Sequence, residues 1–453
     1  MMVRKMKNKD YSSFRDPAGY IYYEGDLVYR KVNSCYRDTF IKFNSSKLCR
    51  ILFDNNMLIK HKIVNDKKDI TLEVDKVPFI SYPYEWCFKE LKDAALLTLN
   101  IEKMALNYGF NLKDASAYNI QFIGGRPIFI DTLSFDEYIP GSTWGAYGQF
   151  CRHFVAPLVL MANVDQNLNC LLKDYIDGIP LDITSNILKN RGGLIALEHI
   201  KLHNKSIKKN NKKDVKNINI SKDKVIKIID MLIMQISNLK VKSSSTEWGD
   251  YYSNTNYSDK SFEDKKMILN NYLDKICIDR DDLICDMGAN DGTFSKVASS
   301  KEAYVLALDI DYNAVSNNYI NNSDDRILPL LFDFNNPSPA IGFNLDERKS
   351  IVDRIDAKCV MCLALIHHVC ISNNIPFSYF FEYVSKIGKY LIIEFVPKED
   401  SKVQELLKTR EDIFDEYDIE HFESAAKKYY NILEKKCVID SERIIYLMEN
   451  NNG

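Results

Sequence analysis

The sequence predicts two domains of different class, an α+β domain in the first half and an α/β domain with a parallel, doubly wound sheet in the second. Three observations carry this. A chain of 453 residues exceeds what one hydrophobic core usually supports, so two domains of roughly 150–200 residues are expected. From residue 281 onward, strand-like apolar runs alternate with helical patterns, as crossover connections between parallel strands require. Between the halves, "HNKSIKKNNKKDVKNINISKDK", residues 203–224, is rich in Lys and Asn and nearly free of large apolar side chains, which reads as a solvated linker. The boundaries that follow are 1–203 for the first domain, 204–224 for the linker and 225–453 for the second.

Composition bounds the function. Hydrophobic content of 46% and charged content of 27% are those of a globular protein. Net charge is -3 with no polybasic arm, so bulk electrostatics give no support for a nucleic-acid partner. No run of about 18 apolar residues occurs, which predicts no membrane span. "MMVRKMKNKDYSSF" has no apolar stretch behind its basic residues, so it does not read as a secretory leader. Eleven scattered cysteines point to a reducing, cytoplasmic setting. The pair Cys359 and Cys362 lies in a strand-like run, where residues three apart face opposite ways and cannot share a zinc ion.

The first half opens with "GYIYYEGDLVYRKV", a hairpin around Glu24-Gly25-Asp26. "FKELKDAALLTLNIEKMALNYG", residues 88–109, is a long helix stopped by Gly109. "YNIQFI" and "RPIFIDT" follow as two short strands joined at Gly124-Gly125. Here Asp114 precedes Asn119 by five positions and Asp131 ends the second strand. Kinase-type phosphoryl transfer uses such a set, with a carboxylate orienting the acceptor and an Asn and a second Asp holding magnesium on the phosphates. Asp114 is thus a candidate catalytic residue, and Asn119 and Asp131 are candidate metal ligands. No Gly-rich phosphate loop stands in residues 1–75, and Lys31 is the best nucleotide-anchoring lysine. The domain is read as kinase-like α+β, either binding ATP and magnesium or catalytically silent. Residues 243–262, polar and aromatic, read as an ordered cap.

In the second half, "DLICDMGANDGTFSKVA" is a buried strand, a Gly-containing turn and a helix start. Gly288 and Gly292 let backbone approach a ligand closely. Asp309 ends the next strand, 21 positions after Gly288, with Ile310 beside it. A carboxylate there can accept from both ribose hydroxyls. A dinucleotide turn favours G-x-G-x-x-G, whereas this one reads Asp286-Met287-Gly288-Ala289-Asn290-Asp291-Gly292. The acid ahead of the glycines suits a cationic ligand such as S-adenosyl-L-methionine. Asp333-Phe334, after the third strand, would accept from an adenine amino group and pack on its face. These positions predict a Rossmann-like class I methyltransferase domain. His367, His368 and Glu394 follow the fourth strand or end the fifth, where an acceptor sits in an open α/β sheet. They are the candidate bases, and packing beneath the cofactor is the competing role for the histidines. "NNPSP", residues 335–339, reads as a rigid turn.

The whole chain resembles a bacterial family of class I S-adenosyl-L-methionine-dependent methyltransferases often labelled nodulation-protein-like. "DPAGYIYYEGDLVYRKVN", "VPFISYPYEWCFKELKDAALLTLNIEKMAL", "LKDASAYNIQF", "CDMGANDGTFS", "LALIHHVCISNNIPF" and "LIIEFVPKEDSKVQELLKTREDIFDEY" carry the resemblance. It implies cofactor binding by Asp286, Gly288, Asn290, Gly292 and Asp309. It fixes no acceptor, beyond a loose association of members with nodulation factors and surface glycans. The first domain resembles a kinase C-lobe, and kinase-plus-methyltransferase pairings occur in glycan chain-terminating proteins.

Overall fold

Residues 8–205, 219–241, 259–408 and 410–451 are described by the computed structural model. The chain divides into two units. Unit 1 comprises Met1–Ser243 together with Ala340–Lys349, and unit 2 comprises Ser244–Pro339 together with Ser350–Gly453. The expected linker falls largely outside the described residues, as does most of the expected cap over 243–262. Among the described residues, no helix is long and apolar enough to cross a membrane.

Unit 1 begins with strands β1 (Asn8–Lys9), β2 (Gly19–Glu24), β3 (Leu27–Val32), β4 (His61–Asp66) and β5 (Ile70–Val74). They form one antiparallel sheet in the order β1-β2-β3-β5-β4. The expected hairpin is present, with Glu24 opposite Leu27. Helices Arg37–Asn44 and Lys47–Asp54 connect β3 to β4 and bury Phe40, Phe43, Leu48 and Leu52. Phe43 stacks on Phe135 with ring centroids 4.1 Å apart and meets Phe110 edge-on at 5.8 Å.

The long helix Phe88–Asn107 starts where the Glu90 side chain accepts the Cys87 N–H at 2.8 Å. Such a capping interaction satisfies a donor that the first helical turn leaves free. Strand β6 (Phe110–Leu112) then pairs with β9 (Phe135–Glu137). Between them, β7 (Ile120–Ile123) and β8 (Arg126–Phe129) form the expected two-stranded turn, with Ile123 opposite Arg126.

Two segments assort differently from the sequence-based expectation. Helix Lys222–Asn238 belongs to unit 1, so the second domain does not begin at residue 225. Its buried stripe Val225, Ile229, Leu232 and Ile236 recurs every three or four residues, as a helix packed on one face requires. Lys103, on the long helix, pairs with Asp230 at 2.6 Å, and Lys92 donates to the carbonyls of Ser237 and Leu239 at 2.7 and 2.9 Å. Segment Ala340–Lys349 also belongs to unit 1. Arg15 grips the buried Glu347 through both carboxylate oxygens at 2.9 Å. The Arg348 guanidinium lies 4.3 Å over the Tyr118 ring, and Tyr82 Oη accepts the Lys349 N–H at 3.1 Å.

Unit 2 holds strands β10 (Leu283–Met287), β11 (Tyr304–Asp309), β12 (Ile327–Leu331), β13 (Ala357–Cys362), β14 (Gly388–Phe395), β15 (Tyr430–Cys437) and β16 (Ile444–Asn450). The sheet order is β12-β11-β10-β13-β14-β16-β15, with β16 antiparallel to both of its neighbours. The first five are parallel and are the five apolar runs of the sequence. β11 is buried along its whole length, as a strand covered on both faces must be. Strand order reverses between β10 and β13, which opens a crevice at their carboxyl ends. Every site residue named for the second domain lies at the carboxyl end of a parallel strand or just beyond it.

Phe43→Ala is expected to cost about 3–5 kcal/mol by emptying the space beside Phe135 and Phe110. A lower urea midpoint for unit 1 checks this, and an unchanged midpoint contradicts it.

Candidate active site

The crevice is built from the end of β10 outward. Asp286 is 2% exposed, and Ser295 Oγ donates to its Oδ2 at 2.6 Å. Burial pushes the Asp286 carboxyl up to about 7, reinforced by Asp309 and Asp291 and opposed by Ser295 and Lys265. The chain then turns through Gly288 and Gly292, both at φ 81°, a region that strains any residue with a Cβ. At Gly292 space forbids a side chain as well, because a Cβ would stand 2.6 Å from the Asn318 amide. At Gly288 a Cβ would meet Leu365 at 3.5 Å, so the backbone conformation alone selects glycine.

Two N–H groups of the turn, at Gly288 and Ala289, donate to the Leu308 carbonyl at 2.8 and 3.0 Å. The next N–H, at Asn290, donates to Asp309 Oδ2 at 2.8 Å, and the Asp311 N–H donates to Asp309 Oδ1 at 2.8 Å. A carboxylate offers about four lone-pair sites, so the end of β11 is held rigidly with acceptor capacity left over. Burial pushes the Asp309 carboxyl up to about 6, against the bonds from the Asp311 and Asn290 N–H groups. Ile310 is 53% exposed. Beyond β12, Asp333 accepts the Asn335 N–H at 2.9 Å. Phe334 stacks on Phe380 at 5.1 Å and meets Tyr383 edge-on at 5.0 Å.

The residues past β13 and at the end of β14 differ in their surroundings. His367 has no exposure, and neither ring nitrogen has a partner among the described residues. Its ring lies 4.0 Å from that of His368. Burial holds His367 well below the usual imidazole range and pushes His368 down to about 4. Glu394 is fully buried. It accepts from Lys265 Nζ at 2.5 Å and from the Ala364 N–H at 2.7 Å, with the Arg443 guanidinium 3.7 Å away. Arg443 in turn donates to both oxygens of Asp400 at 2.7 and 3.0 Å. Glu394, placed by sequence as a base facing an acceptor, is instead the centre of a buried ionic network.

Lys265, Ser295, Asp400 and Arg443 were not singled out from sequence. Lys265 had a signal: the buried stripe Ile268, Leu269, Tyr272, Leu273 of helix Asp259–Lys275, continued one turn back, reaches Asp264 and Lys265. A lysine on the apolar face of a helix needs a buried partner.

In unit 1, Asp114, Asn119 and Asp131 come together. The Asp114 carboxyl is raised by burial and by Asp131, against bonds from Ser116, Gln149 and Asn119. Asn119 Nδ2 donates to Ser134 Oγ at 3.4 Å, and Ser134 Oγ donates to Asp131 Oδ2 at 2.5 Å. Asp131 also accepts from the Arg30 guanidinium and from the Leu133 N–H. Burial would raise its carboxyl, but Arg30, Ser134 and Leu133 outweigh it and hold Asp131 below the usual range. Adjacent strand residues face opposite ways, and on β3 it is Arg30 that reaches this cluster. Lys31 reaches Asp69 instead, at 3.7 Å. Among the described residues, no group of three or more His, Cys, Asp or Glu is arranged to hold a metal ion.

No family model matches the chain. The nodulation protein NoeA of Rhizobium meliloti (strain 1021) is 31% identical over 457 residues, covering 96% of this chain and 95% of NoeA. Magnesium protoporphyrin IX methyltransferase (ChlM) from Synechocystis PCC 6803, solved with bound SAH, is 14% identical over 45% of this chain and 93% of its own, with a TM-score of 0.31. The bifunctional kinase-methyltransferase WbdD is 14% identical over 44% of this chain and 42% of its own, with a TM-score of 0.30. At TM-scores this low neither structural likeness decides anything about the chain.

A carboxyl whose folded pKa lies above its unfolded value stabilises the fold at low pH and loses that contribution as pH rises through the folded pKa. For Asp286 the window runs from the ordinary carboxyl value of 3.8 to about 7. Asp286→Asn, which cannot ionise, is therefore expected to gain in melting temperature relative to wild type as pH rises across that window. Melting curves of both proteins at several pH values test this, and a constant difference refutes it.

Proposed function

The chain belongs to the family of the nodulation protein NoeA, and we propose that it is a class I S-adenosyl-L-methionine-dependent methyltransferase acting on a small-molecule or glycan acceptor. The observation that carries the reading is Asp309: a carboxylate at the end of β11, fixed by the Asn290 and Asp311 N–H groups at 2.8 Å each and keeping acceptor capacity. Two vicinal hydroxyl donors suit that capacity.

The cofactor supplies a methyl group made electrophilic by its sulfonium. The chain binds, orients and excludes water around it. Asp309, flanked by Ile310, accepts from the ribose. Asp286, behind Gly288, offers a carboxyl that a cationic ligand would hold in its ionised form, and Asn290 and Gly292 hold the turn. Asp333 and Phe334 face the adenine end. In-line transfer to a nucleophile depends chiefly on alignment, and a base is needed only when the acceptor must lose a proton. His368 is the residue placed for that task. Burial pushes its imidazole down to about 4, so it is neutral at pH 7 and would serve as a base only where a bound acceptor raises that value. His367, with no exposure, supports the turn instead.

Unit 1 was open to a second reading, ATP and magnesium at Asp114, Asn119 and Asp131. The observation that weighs against it is Arg30, whose guanidinium engages the Asp131 carboxylate. We infer that Arg30 supplies the positive charge there and that unit 1 is a silent module for the acceptor or a partner.

Calorimetry with S-adenosyl-L-methionine should give saturable binding to wild type. Asp309→Ala removes hydrogen bonds to a charged acceptor, each about 1.5–3 kcal/mol, so its Kd should rise roughly 10- to 100-fold. Equal affinity in the two proteins would end the cofactor assignment. Because ionised Asp309 is the better acceptor, affinity should fall as pH drops below its value of about 6. ATP with magnesium should leave the melting temperature unchanged. A rise that disappears in Asp131→Ala would restore the bifunctional reading. Labelled cofactor in cell extract, followed by mass spectrometry, identifies the acceptor.

A further inference from the structure

Glu394 joins three elements that the sequence keeps far apart: helix Asp259–Lys275 through Lys265, the segment after β13 through Ala364, and the residue before β16 through Arg443. We propose that the Lys265–Glu394 pair is a positioning device, holding Leu363–His368 in a left-handed turn so that Leu365 lies against Gly288 and completes the cofactor seat. This rests on the methyltransferase reading above.

Ala364 has φ 51°, a conformation disfavoured for any residue with a Cβ and kept only where surroundings enforce it. The enforcement is visible. The Ala364 N–H donates to Glu394 Oε2 at 2.7 Å, a hydrogen bond strengthened by the acceptor's charge. The same oxygen takes Lys265 Nζ at 2.5 Å, so the ammonium fixes the carboxylate and the carboxylate fixes the turn. Leu365 follows, 3.5 Å from where a Cβ on Gly288 would stand. The Leu365 carbonyl accepts the His368 N–H at 3.0 Å, so the histidine pair takes its place from the same turn. Lys265 also lies 4.8 Å over the Phe294 ring, in the helix that leaves the glycine turn. The pair therefore ties both walls of the crevice. Glu394 does not act as a base, since a fully buried carboxylate engaged by an ammonium, an N–H and a guanidinium is out of an acceptor's reach.

Replacing both members of a buried ion pair is tolerated far better than removing one, and Arg443 keeps Asp400. The test therefore uses Lys265→Met with Glu394→Leu, which removes the acceptor for the Ala364 N–H, and Lys265→Met with Glu394→Gln, which retains one. Hydrogen exchange of residues 363–368 and calorimetry with SAH are measured on the full chain. The Leu variant should exchange about tenfold faster there and bind SAH about tenfold more weakly, a loss of one decade in Kd. The Gln variant should stay near wild type in both. Adding Ala364→Gly, which adopts the turn without strain, should recover SAH affinity in the Leu background. Wild-type exchange and affinity in the Leu variant overturn the proposal, as does a Leu background that Gly does not rescue. Should wild type bind no SAH, the cofactor reading fails and the seating role fails with it. Asp309→Ala separates the two, losing SAH while the turn exchanges as in wild type.

Discussion

A carboxylate without solvent has to be answered by positive charge and hydrogen-bond donors, and in unit 2 that requirement falls on Glu394. Taking one unpaired ion from water into protein costs several kcal/mol. Lys265, Arg443 and the Ala364 N–H meet the demand together. Each comes from a different part of the chain, so the carboxylate can be satisfied only once the central sheet, the helix ahead of it and the final antiparallel strand have all assembled. Buried ion pairs are poor sources of net stability. What this one contributes is a fixed geometry, because a wrong packing would strand a charge.

Unit 1 meets a similar demand with the opposite consequence. Asp131 would be costly to bury alone, and Arg30 answers it. In unit 2 the neutralised carboxylate is Glu394, fully buried at the end of β14. In unit 1 the neutralised carboxylate is the residue whose spacing suggested metal chemistry. The same electrostatic solution thus serves both units.

How much of this was legible in the sequence depended on range. The parallel strands showed as apolar runs because burial on both faces leaves little else possible, and Asp309 showed because it ends one of them. β15 was missed: its exposed and half-buried residues alternate, with Lys435, Lys436 and Glu434 among them, so it has no continuous apolar run. The types of His367 and Glu394 were readable and their surroundings were not, since Lys265 lies 129 positions from Glu394. In helix Lys222–Asn238 the apolar residues Val225, Ile229, Leu232 and Ile236 recur at helical spacing. Which core it joins is decided by Lys92 and Lys103, which local pattern does not pair with it.

Segment Ala340–Lys349 carries a consequence for biosynthesis. It lies beyond β12 in the chain yet completes unit 1, where Arg15 holds Glu347. Domains usually mature in the order in which the ribosome releases them. Here the first unit reaches its final form only after residue 349 has emerged, when three strands of the second have already been made. The two units therefore cannot be separated by a single cut, and a fragment ending at residue 243 would leave Arg15 without Glu347. Gene truncation between the halves yields an unfinished first unit, and selection on such chains acts on both units as one piece.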